Sequence, residues 1–206
     1  MLNRSLFFVI SGPSGSGKTT LIKKLLRDKS LKGKICRSIS FTTRAKRKGE
    51  KDKRDYFFIS EEEFKRKLKG KKILEWTKIL NYYYGTSLVY FQNLLKKRCH
   101  IIFCLDDKGA SRIKRLYPDR TVTIFILAPG LTTLKIRMHK REKGLDKKQL
   151  FSRLQLAKAQ LKKAKFYDYQ LINDNIDQAF KNLKEIIIKE ITLHNHGRRT
   201  LRTTSR

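Results

Sequence analysis

The chain has 206 residues, 39% hydrophobic and 10% aromatic, enough for one packed domain with a proper apolar core and no second large domain. That apolar content excludes a disordered chain even though 33% of residues are charged. The excess of 50 Lys+Arg over 18 Asp+Glu, a formal charge of +32, attracts polyanions, but its lysines are scattered along predicted helix faces, as at Lys23, Lys24, Lys162, Lys163 and Lys165, which favours a solvated cationic surface over a dedicated nucleic-acid interface.

Residues 6–10 form a continuous apolar run ended by Gly12 and Pro13, the pattern of a strand buried on both faces. The run is too short to span a bilayer and no signal-peptide pattern precedes it, so a soluble, cytoplasmic protein without membrane contact is expected. Gly12, Pro13, Ser14, Gly15, Ser16, Gly17, Lys18 and Thr19 then match G-x-x-x-x-G-K-[ST], and Leu21, Ile22, Leu25 and Leu26 follow at helical spacing. This is a phosphate loop in its required setting between a strand and a helix. Backbone N–H groups at the helix N-terminus would cradle the phosphates of ATP, Lys18 would reach the β- and γ-phosphates, and the Thr19 hydroxyl would face Mg²⁺. Thr20, the next residue, belongs with the same nucleotide-binding set.

Between residues 38 and 90 the texture changes to a basic loop, a strand-like piece at 56–59, a short helix opened by the capping box Ser60 and Glu63, a strand at 73–79, and the cluster Tyr82, Tyr83, Tyr84. This block reads as an α+β insertion. Buried runs at 101–105 and 122–127, each followed by a helical pattern, and a last strand at 169–172 before a helix at 176–191 complete a parallel α/β core. The expected organisation is a kinase core at 6–37 and 91–192, an insertion at 38–90, a charged, glycine-containing lid at 139–148, and a basic, disordered tail at 193–206. Cys36, Cys99 and Cys104 show no paired or zinc-type spacing, so neither a disulfide nor a metal site is expected and a reducing compartment suits them.

A phosphate loop leaves the acceptor open, and the segments downstream narrow it. Ser38 to Glu50, with Ser40, Thr42, Thr43, Arg44, Arg47 and Gly49 in register, and then Asp55-Tyr56-Phe57-Phe58, closely resemble the guanylate kinase pattern S-x-S-x-T-T-R-x-P-R-x-G-E followed by D-Y-x-F. The likeness continues through Glu75-Trp76, Tyr84-Gly85-Thr86, Asp106, Gly109-Ala110, Arg137, Arg141, Arg153 and Asn173-Asp174, over nearly the whole chain. It implies a P-loop kinase fold with a parallel sheet of about five strands, and transfer of the γ-phosphoryl group of ATP to GMP, and to dGMP.

Carried over by position, the resemblance makes Arg44 and Arg47, with the hydroxyls of Tyr56 and Tyr84, the holders of the GMP phosphate. It sets Glu75, Ser40, Thr86 and Asp106 around guanine, Asn173 beside the ATP site, and Arg137, Arg141 and Arg153 over the transferring group. Lys18, Arg44 and the three lid arginines are the catalytic set. Any one of the three tyrosines could instead be a core aromatic. Departures from the pattern are Cys104 where an acid is usual, Lys108 for Gln, Lys46 for Pro, Lys53 for Gly, and a lid one residue longer. The rivals are a related kinase acting on a ribose bisphosphate, against which Glu75 and Thr86 speak, and a protein-binding module, which the intact phosphate loop disfavours. The oligomeric state is left open.

Overall fold

The protein is described from a computed structural model that covers residues 5–141 and 146–203. In chain order its elements are β1 (Phe7–Ser11), α1 (Lys18–Arg27), β2 (Ile35–Arg37), β3 (Ser40–Thr42), β4 (Phe57–Phe58), α2 (Glu61–Lys69), β5 (Ile73–Ile79), β6 (Tyr82–Ser87) and α3 (Leu88–Lys96). They continue with β7 (His100–Cys104), α4 (Asp107–Leu116), β8 (Thr121–Leu127), α5 (Leu131–Arg141), α6 (Lys147–Leu161), β9 (Tyr169–Ile172) and α7 (Ile176–Thr203).

Five strands form a parallel sheet in the order β2-β7-β1-β8-β9. β1 is its middle strand, and its unbroken apolar run has a direct cause. Phe8 and Ile10 pack on one face with Leu21, Ile22 and Leu25 of α1 and Leu183 and Ile187 of α7. Phe7 and Val9 pack on the other with Phe91, Ala110 and Ile113 of α3 and α4. A strand covered by helices on both sides has no polar face to show. The phosphate loop and the start of α4 follow directly from the C-terminal ends of β1 and β7, the edge where ligands bind in open α/β sheets.

The block between β2 and α3 carries a second sheet of four strands, ordered β4-β3-β6-β5, with β6 antiparallel to both β3 and β5. Ser60 starts α2 as expected, its hydroxyl accepting the Glu63 N–H at 3.1 Å, and the fully buried Phe64 stacks on Tyr83 at 5.2 Å.

Three differences from the sequence expectations follow from long-range structure. β2 has no strand-like sequence run of its own; it is a three-residue edge strand drawn in by pairing with β7. That pairing corrects the reading of the cysteines. Cys36 on β2 and Cys99, just before β7, are joined as a disulfide with Cα atoms 6.0 Å apart, a separation typical of such bonds and hidden in the sequence because the two positions are 63 apart. Third, α7 runs on as helix to Thr203, past the expected end at residue 191 and into the segment expected to be disordered. Of the expected lid, residues 142–145 lie outside the described residues; α5 and α6 flank them, packed through Leu134, Met138, Leu150 and Ala157.

Candidate active site

A cleft of about 910 Å³ opens between the C-terminal edge of the large sheet, the small sheet and the α5–α6 pair. The phosphate loop forms its floor. Gly17 has φ of 92°, and a Cβ there would lie 2.1 Å from Asn173 Nδ2, so both backbone angle and clearance demand glycine. Asn173 donates from that Nδ2 to the Ser16 carbonyl at 2.8 Å and thereby braces the loop from behind. Lys18 Nζ donates to the carbonyls of Gly12 at 2.6 Å and Pro13 at 2.7 Å. Burial pushes the Lys18 ammonium down to about 8, partly opposed by Cys104 and reinforced by Arg141. Thr19 and Thr20 are exposed toward the cleft at the start of α1.

One wall is basic and phenolic. Arg44, only 6% exposed, directs its NH2 to both Glu50 oxygens at 2.9 Å and its NH1 to the Ala45 carbonyl at 2.5 Å. Glu50 also accepts the Arg47 backbone N–H at 2.9 Å, so one carboxylate aligns both arginines. The Arg44 guanidinium lies 5.6 Å from the Tyr56 ring centre, and the Tyr56 and Tyr84 rings are 6.0 Å apart. Burial raises the Tyr56 phenol well above its ordinary value, leaving it a neutral donor. Tyr82 and Tyr84 line the cleft while Tyr83 packs on Phe64 and Trp76, the alternation of a strand.

Opposite lies an acidic pair, Glu75 buried and Asp106 half-buried. Glu75 Oε1 accepts from the Thr86 N–H at 3.1 Å and the Thr86 hydroxyl at 2.5 Å. Its Oε2 sits where a Cβ on Gly109 would come within 2.8 Å, so the carboxylate and α4 can approach only because residue 109 has no side chain. Burial pushes Glu75 up to about 7, against the lowering effect of the Thr86 bonds and with a further push from Asp106. Asp106 caps α4, its Oδ1 accepting the Gly109 N–H at 2.9 Å and its Oδ2 the Thr77 hydroxyl at 3.0 Å. Burial raises its pKa too. Ser40 pairs with Thr86 across β3 and β6 and lines the cleft. Thr86 itself is fully buried, so it acts on Glu75 from behind rather than facing the cleft.

The third side is cationic. Arg137 NH1 donates to the Asn173 carbonyl at 3.0 Å, Arg141 NH2 to the Ser14 hydroxyl at 2.6 Å, and Arg153 lines the cleft from α6. Of the three, Arg141 touches the phosphate loop itself, while Arg137 and Arg153 line the same cleft. Cys104 ends β7 at the cleft and is the free thiol of the described residues. Sequence reasoning missed Thr77 and gave Glu50 no role, although Thr77 could have been found: two positions from Glu75 on one strand, it shares the buried face. It also missed Lys23, Arg37 and Asp55, which line the same cleft.

A phosphate loop and a buried carboxylate face one cleft, and the family model described as Guanylate kinase matches residues 4–190. The chain belongs to the guanylate kinase family. It is 40% identical over 189 residues to the guanylate kinase of Rickettsia prowazekii, covering 91% of this chain and 93% of that one. It is 37% identical over 188 residues to that of Bartonella henselae, covering 91% and 82%. Among solved structures, the guanylate kinase of Anaplasma phagocytophilum superposes with a TM-score of 0.73 at 27% identity, over 90% of this chain and 86% of that chain. Cys104 stands at the end of β7 where the resemblance leads one to expect an acid. No helix among the described residues is long and apolar enough to cross a membrane.

Proposed function

We propose that the protein transfers the γ-phosphoryl group of ATP to GMP, giving ADP and GDP, and that it acts on dGMP as well, in the cytoplasmic nucleotide pool. The observation that carries the reading is Glu75: a buried carboxylate held by Thr86 in the same cleft as the phosphate loop. Guanine offers N1–H and an exocyclic N2 amine side by side, two donors for one carboxylate, whereas adenine offers an acceptor at N1. None of the residues assigned to the acceptor is needed for a ribose 2′-hydroxyl.

In this reading Arg44 and Arg47 exchange part of their pairing with Glu50 for the acceptor phosphate, and the neutral Tyr56 donates to it beside the Tyr84 hydroxyl. Such a clamp fixes the attacking oxygen in line with the donor. That oxygen is already anionic near neutral pH, because the second phosphate pKa is about 6, so no general base is required. Lys18 turns from the Gly12 and Pro13 carbonyls to the β- and γ-phosphates, whose negative charge favours its ammonium form. Arg137, Arg141 and Arg153 meet the charge that develops on the transferring group.

The donor set suits Mg²⁺ carried by ATP. Thr19 offers a hard hydroxyl oxygen at the start of α1, and among the described residues no cluster of His, Cys, Asp or Glu forms a metal site of its own. Mg²⁺ keeps much of its water and needs few protein ligands; bound with ATP it would neutralise charge on the β- and γ-phosphates.

The test is a coupled ADP-release assay with ATP and Mg²⁺ against GMP, dGMP, AMP, UMP and a ribose bisphosphate, each alone. Turnover confined to the guanine nucleotides is expected, with Lys18→Ala folded and slower by orders of magnitude. Turnover with the ribose bisphosphate, or normal turnover of Lys18→Ala, would overturn the reading.

A further inference from the structure

Asp55 precedes Tyr56 in the turn between β3 and β4, and its carboxylate is 3% exposed. Its Oδ2 accepts from the Lys51 N–H at 2.9 Å and from Arg54 Nε and NH2 at 3.0 and 2.7 Å. Its Oδ1 lies 3.0 Å from Lys23 Nζ and 4.0 Å from Arg37 NH1. Arg37 NH2 also donates to the Asp55 carbonyl at 3.0 Å, and the Arg37 Nε is buried without a hydrogen-bond partner. Three segments therefore meet at one residue: its own turn, helix α1 that begins with Lys18 and Thr19, and the end of β2.

A turn needs only its own donors to hold its shape, and Lys51 and Arg54 supply those. Lys23 and Arg37 add a connection to the core from outside the turn, and neither lies in any motif. Burial opposes ionisation of Asp55, but the Lys51, Arg54 and Lys23 donors outweigh it and hold the carboxyl at about 2, so the cluster stays charged at any working pH. Its immediate neighbour, Tyr56, carries the Arg44 guanidinium 5.6 Å from its ring centre. The helix that presents the donor-phosphate lysine is thus ion-paired to the residue next to the acceptor-phosphate phenol.

We propose that Asp55 is a positioning residue: clamped by Lys23 of α1 and Arg37 of β2, it sets Tyr56 at a fixed place relative to the phosphate loop and couples nucleoside monophosphate binding to donor-nucleotide binding. This rests on the reading that Tyr56 and Arg44 hold the GMP phosphate, and it adds the means by which the two halves of the cleft sense each other. Coupling of this kind is reciprocal and needs a physical connection that both ligands bias.

The test is calorimetric titration of the full chain with GMP, alone and with ADP present, for the unmodified protein, Lys23→Met, Lys23→Arg and Asp55→Asn, each also with Tyr56→Phe. ADP is expected to tighten GMP binding in the unmodified chain. Lys23→Met should weaken GMP about fivefold, leave ADP alone unchanged, and abolish most of the synergy. Lys23→Arg should restore it. With Tyr56→Phe in place, Lys23→Met should cost less than about twofold more. Asp55→Asn should behave as Lys23→Met does. If Asp55→Asn fails to fold, Lys23→Met still decides, because the Lys23 side chain is 41% exposed and its loss leaves the turn bonds in place. Normal GMP binding and undiminished synergy in a folded Lys23→Met, absence of synergy in the unmodified chain, or a loss that persists undiminished with Tyr56→Phe, would each overturn the inference alone. Failure of the unmodified chain to bind GMP would overturn the substrate reading and this inference with it.

Discussion

At the scale of single residues, Glu75 sets function against stability. Its folded-state pKa of about 7 lies above the ordinary 4.5, so the folded chain holds the Glu75 proton more tightly than the unfolded chain does. Between those two pH values the contribution of Glu75 to stability falls as pH rises, reaching a cost on the order of 3 kcal/mol above pH 7. On the proposed reading guanine needs the ionised form, so GMP affinity should rise between pH 6 and 8 as Glu75 deprotonates. The GMP phosphate titrates near pH 6 as well, so the contribution of Glu75 is the part of the slope that Glu75→Gln removes. At pH 8 that variant should melt no lower than the parent while losing roughly 30- to 1,000-fold in kcat/KM for GMP, about 2 to 4 kcal/mol, because an amide NH₂ would face a guanine donor. A pH profile unchanged by the substitution, or an unchanged GMP response, would take Glu75 out of the base pocket. The sequence displayed Glu75 through its motif, and a carboxylate inside an apolar strand already asked for a partner. It could not display Gly109 as the clearance that admits Glu75, because that approach joins two elements distant in the chain.

At the scale of elements, β1, β5, β8 and β9 were legible because apolar runs and turn residues specify them locally, and α2 because Ser60 and Glu63 do. β2 was not, since three residues at a sheet edge owe their conformation to β7. The Cys36–Cys99 bond was invisible for the same reason, and it ties β2 one residue before Arg37. Linking positions 63 apart restricts the unfolded chain by about 4 kcal/mol in the chain-entropy model. For a chain of this size that corresponds to a melting temperature lower by on the order of 10 °C after reduction. The check is calorimetry with and without reductant, alongside mass spectrometry after alkylation. One alkyl group on the untreated protein and three on the reduced protein are expected from its three cysteines. Three groups without reductant, and one melting temperature throughout, would show the bond unformed.

At the scale of the whole molecule, the charge of +32 is a property of the surface at large, and the end of α7 provides the means to test this. α7 is anchored by Ala179, Leu183 and Ile187, all buried, and partly by Ile191, whereas Leu193 is already 56% exposed. Removing residues 194–206 therefore leaves these anchors of the helix in place. The removed segment carries Arg198, Arg199, Arg202 and Arg206, four of the 50 Lys+Arg, and most of the positive field stays. Three measurements on the truncated chain separate a distributed field from a docking tail. Its melting temperature should match that of the full chain within about 1 °C, since Ala179, Leu183, Ile187 and Ile191 all remain in the chain. Its kcat/KM for GMP should fall with added salt as steeply as in the full chain, because attraction of the nucleotide anions comes from the whole surface and is screened within about 10 Å at 0.1 M salt. Binding to a single-stranded RNA probe, measured across salt concentrations, should keep most of its slope. Were the four arginines the RNA-binding site, the slope would drop by up to about three, at roughly 0.7 for each phosphate no longer neutralised. A drop of that size with unchanged catalysis would show α7 ending in a polyanion-binding arm; a large fall in melting temperature would show that the segment docks on the core.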